Sequence, residues 1–92
     1  MAVALRAAGH PLRLDILFSL ADDGPTSPSG FVRRRPGATL RESAYHFRAL
    51  SKGELIALDE VRLGSGAVEH HYALTPLGTA LTKALPRLER SA

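Results

Sequence analysis

Three side chains that can bind anions or nucleobases recur at helical spacing in the middle of the sequence. Arg41, Tyr45 and Arg48 are four and three residues apart, so one face of an α-helix would carry all of them. A guanidinium group can donate two parallel hydrogen bonds to a phosphate or to guanine, and a phenol can contact a phosphate or a thymine methyl group. The spacing indicates a face able to bind a polyanion, although an ordinary solvated face has the same pattern.

The stretch TLRESAYHFRALSKG, residues 39–53, predicts the helix that carries these side chains. Thr39 and Glu42 form a capping box, so the helix should start at Leu40, and Gly53 can serve as its C-cap. Apolar side chains at helical spacing should pack the other face into the core. They are Leu40, Ala44, Phe47 and Leu50.

The segment PLRLDILFSLA, residues 11–21, predicts the first strong helix. Pro11 suits the first helical position, and His10 before it can act as a cap. Apolar residues cover about two thirds of the circumference of this helix, so several neighbours should cover it. Residues 2–8 predict a short helix before it.

A second, short helix is predicted before the arginine-bearing one. Thr26 or Ser27 can cap it, Pro28 can begin it, and the pair Pro36 and Gly37 should stop it. Its end is basic, because Arg33, Arg34 and Arg35 follow one another there. These arginines could meet phosphates or could simply add solubility.

Two β-prone runs, LIALDEVRL and AVEHHYALT, follow and are separated by Gly64 to Gly66, which predicts a hairpin. Alternation should place Val68, His70, Tyr72 and Leu74 on one face of its second strand. The last helix should be capped by Thr75, begin at Pro76 and be kinked or ended by Pro86. Its apolar stripe would comprise Leu77, Leu81, Leu85 and Leu88.

Short helices followed by a hairpin predict a mainly α (α+β) fold, a winged helix-turn-helix with a two-stranded β-hairpin wing, in one domain over residues 1–92. The helix from Leu40 would then enter the major groove of double-stranded DNA, where base edges can be read. Arg62 beside the hairpin tip could lie along the DNA backbone, or could belong to an ordinary exposed hairpin. The expected DNA-binding residues are Arg33, Arg34, Arg35, Thr39, Arg41, Glu42, Tyr45, His46, Arg48, Lys52 and Arg62.

Three segments, HPLRLDILFSL, SAYHFRALSKGELI and RLGSGAVEHHYALTPLG, resemble the ArsR-like winged-helix regulators of bacteria. The resemblance spans about residues 5 to 85. It implies a sequence-specific transcriptional regulator, a repressor, that acts as a homodimer. Ala44 stands where the family usually has a serine, and the metal-binding cysteine pair is absent. The matching residues are Pro11, Arg13, Ile16, Leu17, His46, Phe47, Leu50, Leu55, Ile56, Arg62, Gly64, Tyr72 and Leu74.

Composition limits the possible functions. With 92 residues the chain can build a modest core but no deep substrate cavity. Its 12 Lys and Arg exceed its 9 Asp and Glu, and the net charge of +3 favours a polyanionic partner. The lack of cysteine excludes disulfides and thiolate metal sites. Since no apolar run has the length of a signal peptide core or a membrane span, we expect a cytoplasmic protein with no membrane partner.

No arrangement of residues indicates catalysis or metal binding. Serine and histidine residues are scattered without a carboxylate to orient them, and the GSG tip is followed by neither a helix nor a lysine. His70 and His71 are adjacent on a strand, so their side chains point to opposite faces. We therefore expect no enzyme activity, no cofactor and no metal site.

The first and last helices carry more apolar surface than one small core should absorb, which predicts a homodimer interface built from them. Two alternatives to a DNA-binding repressor remain open. One is a winged-helix protein–protein interaction module whose exposed face binds another protein. The other is a ligand-sensing regulator, without a thiolate metal site, that has a pocket between protomers.

Overall fold

The structure, a computed structural model, describes residues 9–64 and 66–86. Within these ranges the chain forms four helices and one antiparallel pair of strands. The predicted winged helix-turn-helix with a hairpin wing is confirmed, whereas the short helix predicted for residues 2–8 lies outside the described residues. The elements are α1 (Pro11–Asp23), α2 (Pro28–Arg34), α3 (Leu40–Lys52), β1 (Ile56–Leu63), β2 (Val68–Leu74) and α4 (Pro76–Ala84).

Each helix starts where the sequence places a side chain able to accept a backbone hydrogen bond. The cap atom accepts from the N–H group two or three residues further on, at 3.0–3.2 Å. A proline occupies the first turn of α1, α2 and α4, where its missing N–H costs nothing. The caps are His10, Ser27, Thr39 and Thr75.

The core forms where α1, α2, α3 and the start of β1 meet. Phe47 lies within it at 1% exposure, with its ring 6.2 Å from that of Phe31 and 5.7 Å from that of Tyr72. Most of the apolar side chains of α1 are buried here, within a single chain. The apolar surface that was expected to place α1 in a dimer interface is therefore already covered. The core residues are Leu12, Ile16, Leu17, Leu20, Phe31, Phe47, Leu50, Leu55 and Ile56.

The buried face of α3 differs from the predicted one. Leu40, expected in the core, is 54% exposed, whereas Ser43 and His46 are buried beside Phe47 and Leu50. The buried positions keep helical spacing, and Leu40 precedes them by one turn. At the start of α3 it borders an open cleft, which β2 and the start of α2 also line, so it is not packed into the core and the prediction for Leu40 was wrong.

The hairpin pairs from Ile56 opposite Leu74 to Leu63 opposite Val68, with a register shift at Asp59. Thr26 forms a bridge to the other edge of β2, so the segment before α2 is tied to the sheet. Tyr72 and Leu74 pack against the core, while the tip of the hairpin projects from it. This arrangement holds the hairpin beside α3 and leaves its outer half free to reach a partner.

α4 closes the fold behind the hairpin and ends at Ala84, just before Pro86, as predicted. Gly78 lets this helix approach the backbone of Leu55, because a Cβ at Gly78 would overlap the Leu55 carbonyl oxygen. Leu81 packs against the core, but Leu85 is the C-cap and lies beyond the helix, and Leu88 is outside the described residues. The predicted stripe of four leucines is thus represented on α4 by two of them. None of the helices in the described part of the chain is long and apolar enough to cross a membrane.

Candidate nucleic-acid interface

The solvent-exposed face of α3 carries the three side chains that their spacing in the sequence predicted to share one face. Arg41, Tyr45 and Arg48 are all exposed, Tyr45 by 56%, and they lie away from Phe47 and Leu50. Within residues 9–64 and 66–86, neither arginine takes part in an ion pair. Their guanidinium groups are available to an anion without first giving up a carboxylate among those residues.

The exposed face of α3 carries two neighbouring rows of side chains, and within each row successive side chains are one helical turn apart. Leu40, Ala44 and Arg48 form the row beside the hairpin and border a cleft of about 530 Å³ between α3, β2 and the start of α2. Arg41 and Tyr45 form the other row, and the Arg13 guanidinium of α1 lies 5.9 Å from the centre of the Tyr45 ring. Sequence reasoning placed Leu40 and Ala44 in the core and so missed the first row.

His46 is a positioning residue that does not face the solvent. It is 4% exposed, its Nδ1 accepts a 2.9 Å hydrogen bond from Arg13 Nε, and its ring lies 4.4 Å from that of His10. These interactions fasten the middle of α3 to the start of α1. The expectation that His46 touches DNA does not fit its burial, because neighbouring side chains separate it from solvent.

Burial lowers the pKa of His46, and the nearby charges of His10 and Arg13 lower it further, while Glu42 opposes them. Arg13 also favours neutral His46, since Nδ1 can accept its hydrogen bond only without a proton. Because Nδ1 accepts this hydrogen bond, the proton of the neutral ring is assigned to Nε2. The folded state therefore binds a proton at His46 less readily than the unfolded chain does.

We expect the free energy of unfolding to decrease as the pH falls below the usual histidine value of 6.5. Above that value His46 is neutral in both states and the contribution is fully present. At lower pH the unfolded chain takes up the proton first, so acid favours unfolding. Melting curves between about pH 8 and about pH 5 would measure this slope.

The matched variants for this measurement are His46→Gln and His70→Gln, because His70 is exposed on the hairpin. The first should flatten the pH dependence of the melting temperature, and the second should keep it. Parallel profiles for the wild type and His46→Gln would contradict the assignment.

The arginines expected to hold phosphates each face a carboxylate of the same chain. Arg33 lies 4.0 Å from Glu69 and Arg34 lies 3.4 Å from Asp23, and in both pairs the arginine is more than half exposed. Exposed ion pairs contribute about 0–1 kcal/mol, so these arginines can exchange the carboxylate for a phosphate at little cost. Glu69 is the more firmly held partner, since it also accepts from Ser29 Oγ at 3.3 Å.

Arg35 and Arg62 differ in how tightly they are held. Arg35 pairs with Asp15, whose carboxylate is mostly buried, so this ion pair ties α2 to α1 and suits a structural role. Arg62 donates a 3.0 Å hydrogen bond to Glu60 on the exposed hairpin, and this bond lowers the pKa of Glu60. Arg62 therefore remains a candidate for binding phosphate, whereas Arg35 is a weaker one.

The remaining predicted residues lie at the two ends of α3. Thr39 and Glu42 are exposed at its start, and the Thr39 hydroxyl is used as the cap by the Glu42 N–H. Lys52 is exposed in the last turn, one turn beyond Arg48. In the described part of the chain, no group of three or more His, Asp or Glu is arranged to hold a metal ion.

Comparisons with known proteins find similarity in structure. No protein-family model matches the sequence, and no curated protein matches it. A candidate transcriptional regulator of the MarR family from Enterococcus faecalis V583 superposes with a TM-score of 0.72 at 25% identity, over 90% of this chain and 73% of that one. The redox regulator HypR in its reduced form superposes with a TM-score of 0.70 at 23% identity, over 86% of this chain and 75% of that one.

These neighbours confirm the winged-helix fold and agree with the general class of the resemblance, that of winged-helix transcription regulators. They do not single out the ArsR-like type, since the first is of the MarR family. Both are described as regulators, not as enzymes, in agreement with the expectation that this chain is not an enzyme.

Proposed function

We propose that this protein is a sequence-specific DNA-binding transcriptional regulator of the winged-helix type. The observation that carries the proposal is the exposed face of α3, where Arg41 and Arg48 stand without carboxylate partners among the described residues, beside a projecting hairpin. The fold shared with transcriptional regulators supports it.

In this proposal α3 enters the major groove, which is about 12 Å wide and accepts a helix. Arg41 and Arg48 are seven residues apart, which corresponds to about 10 Å along the helix axis. Base pairs are stacked about 3.4 Å apart, so the two guanidinium groups can reach bases up to about three steps apart. Each would bond bidentately to the O6 and N7 atoms of a guanine.

Phosphate binding would come from basic side chains beside α3. Arg33 and Arg34 end α2, and Arg62 lies on the hairpin opposite Glu69, the carboxylate that Arg33 also faces. All three are exposed and held by weak ion pairs, so they can turn towards a DNA backbone. Such interactions position a protein on DNA without selecting a sequence.

We further propose a cytoplasmic homodimer that acts as a repressor by occupying its operator. A two-fold dimer would place two copies of α3 about 34–36 Å apart on a palindromic site. Leu77, partly exposed on α4, supports an interface at that helix, whereas the burial of the apolar side chains of α1 removes most of the argument for a contribution from α1.

The proposal is tested by selecting bound fragments from random DNA and titrating the protein against the selected and a scrambled sequence. A DNA-binding regulator should enrich a palindromic site and bind it more tightly than the scrambled control. Light scattering on the same sample should give the mass of a dimer at micromolar concentration. If no sequence is enriched at any salt concentration, the proposed function is wrong.

A protein–protein interaction module is the second candidate, and one observation favours it. The hairpin exposes Val61, Leu63 and Val68, and Leu63 is 85% exposed. Exposed apolar side chains grouped on one element often mark a surface that binds another protein. Failure of the DNA selection, with retention of a partner that high salt does not remove, would favour this function.

A further inference from the structure

Leu40 occupies an unusual position for a large apolar side chain. It is the first residue of α3, it is 54% exposed, and it lies on the face that carries Arg41 and Arg48. A single exposed leucine is common on protein surfaces and needs no explanation by itself. Here, however, it stands in the first turn of the helix proposed to read DNA, where side chains contact base edges.

Leu40 begins a short row of apolar side chains along α3 that ends in a charged residue. Ala44 is one turn further along, and both side chains border the cleft whose other wall includes Val68 and Tyr72. Arg48 closes this row one turn beyond Ala44. Neither Leu40 nor Ala44 can donate or accept a side-chain hydrogen bond, so neither can read a polar atom of a base.

The major groove presents one apolar group on its base edges, the C5-methyl group of thymine. A leucine and an alanine one turn apart on a groove-facing helix offer a methyl-sized apolar surface for that group. Arg41, adjacent to Leu40 in the chain, would bond to guanine at a neighbouring base pair.

We propose that Leu40, backed by Ala44, is a specificity-determining residue that contacts the C5-methyl group of a thymine in each half-site. This inference rests on the proposed function and deepens it, because it assigns a base type to a position that the arginines do not read. The half-site would then combine a guanine with a nearby thymine.

The test uses the operator obtained by selection, with each thymine replaced in turn by deoxyuridine, which removes only the methyl group. One position per half-site should weaken binding by the wild type about fourfold per thymine, which corresponds to the transfer of one buried methyl group, about 0.8 kcal/mol. Leu40→Ala should bind the thymine operator about fourfold more weakly per half-site, and deoxyuridine replacement should weaken its binding no further.

Leu58→Ala is the matched control, because Leu58 is a leucine of similar exposure, 52%, on the hairpin and does not line the cleft. It should respond to deoxyuridine as the wild type does. Melting curves for both variants would verify that the fold is kept.

Three outcomes are distinguishable. If the operator is bound specifically but deoxyuridine has no effect at any position, the inference about Leu40 is wrong and the proposed function stands. The same holds if replacement weakens binding by the wild type and by Leu40→Ala equally. If no DNA is bound with specificity, both the proposed function and this inference are wrong.

Discussion

Phe47→Ala is expected to lower the free energy of unfolding by about 3–5 kcal/mol, enough to unfold most of a protein of this size. Phe47 is 1% exposed and lies between the rings of Phe31 and Tyr72, so truncation removes its apolar packing and leaves a cavity. The change would remove the ring contacts that join α3 to α2 and to the hairpin. Urea denaturation followed by circular dichroism would measure it.

Leu40→Ala is the control for this measurement. Sequence periodicity placed both Leu40 and Phe47 in the core, but the structure buries only Phe47 of the two. Leu40 is mostly exposed, and alanine favours helices, so this variant should unfold within about 0.5 kcal/mol of the wild type. Similarly large destabilisation by both substitutions would show that the start of α3 is covered after all.

Arg41→Ala and Arg48→Ala are each expected to weaken binding to the selected operator by about 1–3 kcal/mol and to relax the base preference at one position. Both side chains lie outside the core and form no ion pair among the described residues, so folding should be unaffected. Titration against selected and scrambled DNA would separate an effect on specificity from an effect on general attraction. If both variants bind the operator as the wild type does, α3 is not the reading helix and the protein-binding function becomes the better one.

Arg34→Ala and Arg62→Ala provide the contrasting pair. Since both arginines are candidates for binding phosphate, each variant should lose the same amount of affinity for the selected DNA as for the scrambled DNA. Each should reduce the slope of log K against log salt by about one unit for every phosphate that the protein no longer neutralises. These two substitutions should weaken DNA binding less than Arg41→Ala or Arg48→Ala do, because Arg34 and Arg62 must each leave a carboxylate, Asp23 or Glu60, to bind a phosphate. A change confined to the selected operator would instead indicate that the arginine reads a base.

Local chemistry in the sequence determined the elements and their order. The caps Ser27, Thr39 and Thr75, the prolines that follow two of them, and the glycines between the strands act over three or four residues. Such signals need no partner elsewhere in the chain, so helices and hairpin could be placed within a few residues. The winged-helix fold followed from that order, and helical spacing indicated that Arg41, Tyr45 and Arg48 are exposed.

The tertiary structure alone decided which neighbours cover each face and which charges meet. Helical periodicity cannot say whether a neighbouring element covers a given turn, so Leu40 was placed in the core although it borders an open cleft and is 54% exposed. The hydrogen bond from Arg13 to His46 and the pairing of Arg35 with Asp15 join residues 33 and 20 positions apart. Interactions at that separation depend on how helices pack, and no short stretch of sequence specifies them. For that reason the sequence alone could identify the basic side chains of the candidate site, while only the fold distinguished those open to DNA from those already held by carboxylates.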